Sequence, residues 1–362
     1  MSSELGNKLK VSIFGESHGK AIGVNINGLP AGEKIDEAEL ARFMNRRRPG
    51  GSSLVTPRNE ADAVIIESGF YNGATTGTPL CAIIENKDTR SSDYSGFTDT
   101  PRPAHADYTA QMKWGGAADM RGSGHFSGRL TAPICIAGGI AKQILERRGI
   151  YVGAHLYSVG KAKDVQFPMY PSKELFDGIA AKTFPVIDDA CGEAMAEEIK
   201  SAAAALDSVG GVIECSVIGL PVGLGGPMFA GIEGRMAYAM FGIPAVKGVE
   251  FGSGFSGSET RGTENNDTFV IDDSGNIATE TNNCGGILGG ISNGMPLVAR
   301  VAMKPTPSIG AKQKTVSLSK KEMVDISVGG RHDPCVAVRA VPVVEAAAAC
   351  VILDMLLEED KL

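Results

Sequence analysis

The stretch 131-TAPICIAGGIAKQILERR-148 bears most directly on the fold, because an apolar run of this length predicts a helix rather than a strand. Pro133 suits its entry and Gly149 its end. Outward from it, strand and helix patterns alternate without a clean break in composition. The strand candidates are 10–14, 21–26, 63–68, 80–85, 212–220 and 297–303, and the other helix candidates are 37–45, 189–206, 231–240 and 344–357. We therefore predict a single α/β or α+β domain over residues 1–362. No G-x-G-x-x-G joins a strand to a helix, so the pattern is not that of a Rossmann fold.

Composition excludes several classes of protein. Of the 362 residues, 43% are hydrophobic, which supplies a real core and excludes a disordered chain. Lys and Arg total 35 against 42 Asp and Glu, so the net charge is −7. A chain this acidic is a poor general binder of nucleic acid or anionic membrane. An anionic ligand must therefore meet a local basic cluster.

Targeting and redox signals point to the cytoplasm. The start, MSSELGNKLK, lacks the apolar core of a signal peptide. The most apolar stretch, 341–357, contains Glu345 and Asp354 and is not expected to span a membrane. Seven cysteines without a C-x-x-C pair favour neither a zinc ribbon nor a disulfide framework. We expect a soluble, reduced, cytoplasmic protein, and the scattered histidines predict no metal site.

Four of the five histidines lie in polar stretches, three of which contain glycine, and active-site loops are usually composed in this way. These stretches are 15-GESHG-19, 102-RPAHAD-107, 121-RGSGHFSGR-129 and 330-GRHDP-334. His155 lacks such neighbours and is expected to be structural. A serine hydrolase is disfavoured, because a histidine adjacent to the serine in an extended chain points away from it.

Arginines are the other candidate binding groups. The run 46-RRRPGGSS-53 follows a predicted helix, and guanidinium groups match phosphate and carboxylate geometry. A solvated helix end explains the run equally well. Further arginines lie in Gly- or Pro-rich surroundings, and their convergence would suit a small substrate with several anionic groups. They are Arg58, Arg121, Arg129, Arg331 and Arg339.

The paired-glycine segment 283-NCGGILGGISNG-294 and the segment 304-KPTPS-308 are the remaining candidates. Glycine loops offer backbone N–H groups to a phosphate or a flavin edge. The glycines lack the Lys-Ser/Thr of a Walker loop. Taken alone, the signal is weak.

Together, seven ordered motifs resemble the chorismate synthase family over essentially the whole chain. They are 15–19, 46–50, 102–108, 121–129, 285–294, 304–308 and 330–342. The resemblance implies a β-α-β sandwich, with antiparallel sheets enclosing helices, assembled as a homotetramer. It also implies conversion of 5-enolpyruvylshikimate 3-phosphate to chorismate, the last common step toward the aromatic amino acids. This anti-1,4-elimination of phosphate has no net redox change, yet requires reduced FMN.

The same resemblance implies roles for individual residues. His18 matches the proton donor to the departing phosphate, and His105 matches the residue beside the N1–C2=O edge of the reduced flavin. Asp333 matches a carboxylate near flavin N5, with Ser17 and Ser127 as hydrogen-bonding helpers. Substrate or NADP contacts transfer to Arg47, Arg48 and Arg129, and flavin contacts to His125, Phe126, Ser127, Gly289, Lys304, Pro305, Thr306, Pro307, Ser308 and Arg331.

Three positions depart from the family pattern. Ser53 stands where many members carry arginine, His125 begins a segment that often reads Arg-Ser-Ser-Ala-Arg, and Pro244 replaces an asparagine. Since Ser53 removes a charge and no dinucleotide fingerprint is present, we expect that the chain does not reduce its own flavin. NADPH would then act only as a reductant, through a separate flavin reductase.

Two other functions stay open at this point. One is an FMN-dependent oxidoreductase acting on a small anionic substrate. The other is a non-enzymatic anion-binding module that uses Arg46–Arg48.

Overall fold

A computed structural model describes residues 3–48, 54, 61–87, 96–329 and 332–362. In these residues the helices are α1 Glu37–Arg47, α2 Asp107–Trp114, α3 Thr131–Glu146, α4 Lys173–Ala180, α5 Asp189–Ala204, α6 Ile232–Phe241, α7 Gly262–Asn265 and α8 Ala337–Glu358. The strands are β1 Glu4–Leu5, β2 Lys10–Gly15, β3 Ala21–Asn27, β4 Ile65–Ser68, β5 Phe70–Tyr71, β6 Ala74–Thr75, β7 Leu80–Glu85, β8 Tyr151–Val159, β9 Ala162–Lys163, β10 Gly211–Ile218, β11 Val246–Phe251, β12 Phe269–Ile271, β13 Ile277–Thr279, β14 Ile287–Leu288, β15 Ile291–Ser292, β16 Leu297–Met303, β17 Gln313–Ser317 and β18 Glu322–Ile326. Short 3-10 turns cover Arg121–Phe126, Gly128–Leu130, Met228–Ala230 and Gly254–Glu259.

Two antiparallel five-stranded sheets form the outer layers. The first has the order β1-β2-β3-β7-β4, and the second has the order β11-β16-β10-β8-β9. In β3, alternate residues Ile22, Val24 and Ile26 are fully buried, as expected where one face of a strand packs on a core.

Helices α3 and α8 fill the space between the sheets. α3 packs on β3 and β7 of the first sheet, whereas α8 packs on β8 and β10 of the second. The two helices touch each other closely at Gly138, where a Cβ atom would lie 2.2 Å from Cα of Ala346. Only glycine permits that approach. The predicted β-α-β sandwich is therefore confirmed.

Helix α8 is the core helix. By length and composition it would suit a membrane span, but 94% of its most apolar 18-residue window is buried inside the molecule. Its buried Glu345 accepts bonds from Arg46 (Nη2–Oε1, 2.6 Å) and Lys142 (Nζ–Oε2, 3.0 Å). Burial alone would raise the pKa of Glu345, but these two cations lower it to about 2.

The predicted start of this helix at residue 344 is wrong. α8 begins at Ala337 and contains Pro342 within its second turn. Packing on every side of the helix outweighs the local cost of proline, so the helix continues through Pro342.

Candidate active site

A cavity of about 1010 Å³ opens beside the helical layer. Its wall combines the end of α1, the 3-10 turns at 121–130, the segment after α6, the end of β16 and the start of α8. Polar groups on this wall come from chain-distant segments, namely Arg47, Arg102, His105, Ser123, His125, Ser127, Arg129, Lys247, Lys304, Thr306, Ser308, His332, Asp333 and Arg339. Six basic side chains of an acidic chain thus meet in one place, whereas Arg121 does not line the cavity and pairs with Asp119 (Nη2–Oδ2, 2.7 Å).

Arg47 and Arg129 meet at a carboxylate that the sequence did not reveal. Asp62 Oδ2 accepts from Arg47 Nη1 at 2.5 Å, and Asp62 Oδ1 accepts from Arg129 Nη1. The side chain of Asp62 is only 1% exposed. Burial would raise its pKa, but the two guanidinium groups hold the pKa below its usual value. No motif surrounds Asp62, so only the fold identifies it.

Other contacts hold the same two arginines. Arg47 Nε donates to Thr131 Oγ1 at 3.1 Å, and Arg47 Nη2 donates to the carbonyl of Gly128 at 3.3 Å. Arg129 Nε donates to Asn86 Oδ1 at 3.0 Å. Both guanidinium groups are therefore fixed from several directions and still line the cavity.

The three consecutive arginines at the end of α1, Arg46 to Arg48, take different positions. Arg46 turns away from the cavity to pair with Glu345, whereas Arg47 faces the cavity. Arg48 is exposed at the end of the helix and does not line the cavity. Successive helical residues point about 100° apart, so one run serves the core, the cavity and the solvent. Of the three, only Arg48 has the exposed position that a solvated helix end would give, and its proposed substrate contact stays a prediction.

His105 belongs to a buried cluster built on Arg102. Its Nδ1 lies 2.7 Å from Asp107 Oδ1, and Arg102 reaches both Asp107 (Nη2–Oδ1, 2.7 Å) and Ser308 (Nη1–Oγ, 3.0 Å). Since the carboxylate only accepts, Nδ1 carries the proton. Burial lowers the pKa of His105, and the nearby charges of Arg102 and Lys304 lower it further. The bond to Asp107 raises the pKa but does not offset these effects. The ring is therefore neutral at pH 7 with the lone pair on Nε2.

His18 and Ser17 lie behind the cavity wall rather than on it. His18 is 8% exposed and Ser17 is 3% exposed. A Cβ at Gly122 would lie 2.5 Å from His18 Nε2 and 2.8 Å from Ser17 Oγ, so the bare backbone of Gly122, itself on the cavity wall, packs directly against both side chains. Ser17 Oγ is buried and has no hydrogen-bond partner among the described residues.

The segment 121–129 is strongly kinked, with positive φ at Gly122, Ser123 and Gly124. His125 is held by Gly15 (Nδ1–O, 2.8 Å) and Ser3 (Nε2–Oγ, 2.7 Å), and it lines the cavity. The rings of Phe126 and Trp114 pack at 5.6 Å. Ser127 lines the cavity and accepts a bond from the Arg129 N–H at 3.2 Å, so its hydroxyl also caps a turn.

The segment 304–308 contributes to the cavity wall and contacts the Arg102 cluster through Ser308. Lys304, Thr306, Pro307 and Ser308 line the cavity, whereas Pro305 does not. Lys304 Nζ donates to the carbonyl of Ala104. Burial lowers the pKa of Lys304, and neighbouring Lys247 adds to that effect.

Gly289 is the predicted contact that lies farthest from this group. It forms the turn between β14 and β15, where the Ile232 N–H donates to the carbonyl of Gly290 at 3.0 Å. That is the start of α6, and the other end of α6 lines the cavity. Ten helical residues separate the two by about 14 Å.

Asp333 lines the cavity and pairs with Arg339, whose Nη1 lies 2.6 Å from Asp333 Oδ2. Arg331, Ser53 and Arg58 lie outside the described residues. His155 is fully buried between Asp164 (3.1 Å) and Glu214 (3.0 Å) and does not line the cavity, in keeping with a structural role.

Comparison with known proteins decides the family. The chorismate synthase family profile matches residues 9–357, nearly the whole chain. The chain belongs to the chorismate synthase family. A chorismate synthase of Thermococcus kodakarensis is 49% identical over 352 residues, covering 97% of each chain. One from Dehalococcoides mccartyi is 46% identical over 357 residues, covering 99% of this chain and 97% of its own. A chorismate synthase crystal structure superposes with a TM-score of 0.75 at 28% identity, covering 98% of this chain and 93% of that one.

Membership of the chorismate synthase family establishes the class of chemistry. The chain is a carbon–oxygen lyase of the shikimate pathway, which leads to the aromatic amino acids. Chorismate synthases depend on a flavin and act on a small molecule, 5-enolpyruvylshikimate 3-phosphate. The predictions of family, fold and enzyme class are confirmed.

Proposed function

We propose that the cavity binds reduced FMN together with 5-enolpyruvylshikimate 3-phosphate, and that the chain there eliminates phosphate with no net redox change. The observation that carries the proposal is the meeting of Arg47, Arg129, His105 and Lys304 on one cavity wall in a chain with net charge −7. The substrate carries a phosphate and two carboxylates, and a local cationic cluster is what such a ligand requires.

The residues present fit a flavin mononucleotide. At about 1010 Å³ the cavity reaches the upper end of ordinary ligand sites, which leaves room for a flavin and a small substrate. Thr306 Oγ1 is buried on its wall and lacks a partner among the described residues. Lys304 and Lys247 add positive charge, and Phe126 and Ile243 add apolar surface suited to a ring. When bound, reduced FMN would lend electron density to the allylic substrate and recover it.

Residues of the 121–129 and 304–308 segments are the proposed flavin-binding groups. Those on the cavity wall are His125, Phe126, Ser127, Lys304, Thr306, Pro307 and Ser308. Pro305, Gly289 and Arg331 remain proposed contacts on the family resemblance alone. Arg47 and Arg129 would anchor the anionic substrate, with Arg48 at the adjoining helix end.

His18 is the proposed proton donor to the departing phosphate. A proton delivered to the leaving oxygen neutralises the charge that develops there as the carbon–oxygen bond breaks. Its Nε2 edge faces Gly122, whose missing side chain leaves the ring near the cavity. Ser17, buried beside it with an unpartnered hydroxyl, would help orient the ring.

His105 would respond to the charge of what binds beside it. The bond to Asp107 keeps the proton on Nδ1, so Nε2 is the atom that gains a proton. An anionic ring edge near Nε2 would raise the pKa of His105 from its lowered starting point. The imidazolium formed in this way would stabilise the anion. Asp333, paired with Arg339, is the proposed carboxylate near the reacting end, and Ser127 its hydrogen-bonding helper.

The proposed flavin site is tested by titrating FMN into the protein and following the flavin absorbance with and without substrate. Arg47→Ala and Arg129→Ala should each weaken substrate binding roughly ten- to a hundred-fold, since each removes a charge-assisted bond of about 1.5–3 kcal/mol. The affinity for FMN alone should stay near that of the wild type. Normal substrate affinity in both variants would contradict the proposed substrate site.

We further propose a homotetramer in the cytoplasm, made of single-domain subunits. Large exposed apolar side chains support an assembly, with Phe229 97% and Ile271 78% exposed in one chain. All seven cysteines are free thiols, as in a reducing compartment. Light scattering of the purified protein tests the assembly, and a monomer would contradict it.

We also propose that NADPH acts only as a reductant and that a separate flavin reductase supplies reduced FMN. The serine at position 53 and the absence of a dinucleotide fingerprint in the sequence support this. Sustained aerobic turnover with NADPH and FMN alone, without added reductase, would refute it.

A further inference from the structure

The carboxylate of Asp62 stands behind the two arginines proposed to bind substrate. Arg47 and Arg129 line the cavity, and Asp62 does not. Each of its oxygens bonds to a different guanidinium group, Oδ2 to Arg47 and Oδ1 to Arg129. The carboxylate is buried and does not line the cavity, so a ligand that reaches the arginines from the cavity does not contact it.

The backbone at Asp62 is held in an unusual conformation. Its φ is +48°, a left-handed value that Asp and Asn adopt more readily than other non-glycine residues. The side chain is nearly inaccessible, and both partners are buried as well. A strained backbone and a buried charge together cost stability, so the contact with both arginines has to offset that cost.

We propose that Asp62 is a positioning residue for substrate binding: its carboxylate fixes the spacing and orientation of the Arg47 and Arg129 forks toward the anionic groups of the substrate. The inference rests on the proposed substrate site. Two guanidinium groups and one carboxylate leave the cluster with a net charge of +1, so attraction for an anion is retained while like-charge repulsion between the arginines is offset. Asp62 does not touch the substrate in this account.

Three contacts connect Asp62, Arg47 and Arg129, together called the clamp, to neighbouring groups. The carbonyl of Arg47 accepts from Arg339 Nε at 3.0 Å, and Arg339 pairs with Asp333 on the same wall. On the other side, Arg129 Nε bonds to Asn86 at the end of β7. A shift of the forks would thus be transmitted to both ends of the anion site.

The test uses the full-length enzyme saturated with oxidised FMN, so that calorimetry measures substrate binding without turnover. Asp62→Asn keeps the shape and the backbone preference but loses the charge. We expect it to raise the substrate Kd roughly ten- to a hundred-fold, because guanidinium forks that are no longer held in place lose charge-assisted bonds to the anionic groups of the substrate. The affinity for FMN should stay within about threefold of the wild type, because Asp62 holds the two substrate arginines and none of the proposed flavin contacts.

Asp164→Asn is the matched control. Asp164 is also a buried carboxylate in an ion pair, with His155, but it is remote from the cavity lining. It should lower the melting temperature and leave the substrate Kd unchanged. If Asp62→Asn does not fold, Asp62→Glu decides, because it keeps the charge and changes the reach by one methylene. A substrate Kd raised at least about threefold supports the clamp, and a wild-type Kd overturns it.

An unchanged or tighter substrate Kd in Asp62→Asn would overturn the inference, since a carboxylate that merely neutralises the arginines should strengthen anion binding when it is removed. Arg47→Ala and Arg129→Ala separate this failure from that of the proposed function. Weakened substrate binding in both arginine variants, with normal binding in Asp62→Asn, would contradict only the role proposed for Asp62. Normal substrate binding in all three variants would contradict the proposed substrate site itself.

Discussion

Gly122→Ala offers a sharp test of where His18 lies. The added Cβ would stand 2.4 Å from Cδ2 and 2.5 Å from Nε2 of the His18 ring. Carbon atoms in good contact are about 3.5–4.0 Å apart, so the ring must retreat by about 1 Å. If His18 donates a proton to the departing phosphate, a displacement of that size should lower turnover roughly a hundred-fold. FMN affinity should not change.

Gly115→Ala is the control that separates the effect of backbone strain from the effect of displacing the His18 ring. Gly115 has φ +58° against +59° for Gly122, but a Cβ there meets nothing within 4 Å. Both variants should lose about 1–2 kcal/mol of unfolding free energy from the left-handed alanine, measured by chemical denaturation. Only Gly122→Ala should lose single-turnover rate with reduced FMN. Equal rates in the two variants would refute the proton-donor role assigned to His18 behind this glycine.

Three further outcomes are expected. His18→Ala should keep FMN and substrate affinity while steady-state turnover falls about a hundred- to ten-thousand-fold, and wild-type turnover would exclude it as the general acid. His105→Ala should change the absorption spectrum of bound reduced FMN when substrate is added, whereas His18→Ala should not; matching spectra would contradict the division of roles. For His155, burial would lower the pKa, but the bonds to Asp164 and Glu214 raise it overall. A raised folded-state pKa gives stability that is fully present below the unfolded value of about 6.5 and is lost as pH rises through the folded-state pKa. Urea titrations across that range should show this loss in the wild type and not in His155→Gln.

Local patterns in the sequence predict many of the elements. Strands 80–85 and 297–303 match the structure residue for residue, and the predicted helix 131–148 overshoots α3 by two residues. These segments have a clear apolar period and strong flanking signals. Strand β8 was missed, because a strand buried on both faces has no alternation to reveal it.

The candidate site could be predicted only in part. Polar loops with histidine, glycine-rich in the second case, indicated the segments around His105 and His125, and both line the cavity. Asp62 gave no signal, since a lone acidic residue before a strand is ordinary until the fold brings two arginines to it. Likewise, nothing in the run 46–48 says which arginine faces α8 and which faces the cavity. Long-range packing decides both.

The central claim is that this cavity removes phosphate without consuming the flavin's electrons. It is tested most directly by anaerobic incubation of the enzyme with 5-enolpyruvylshikimate 3-phosphate and chemically reduced FMN, counting phosphate released per flavin. We expect many phosphates per flavin, with the flavin still reduced at the end. One phosphate per flavin with matching oxidation would indicate an oxidoreductase, and no phosphate at all would indicate an anion-binding protein; either result would contradict the account.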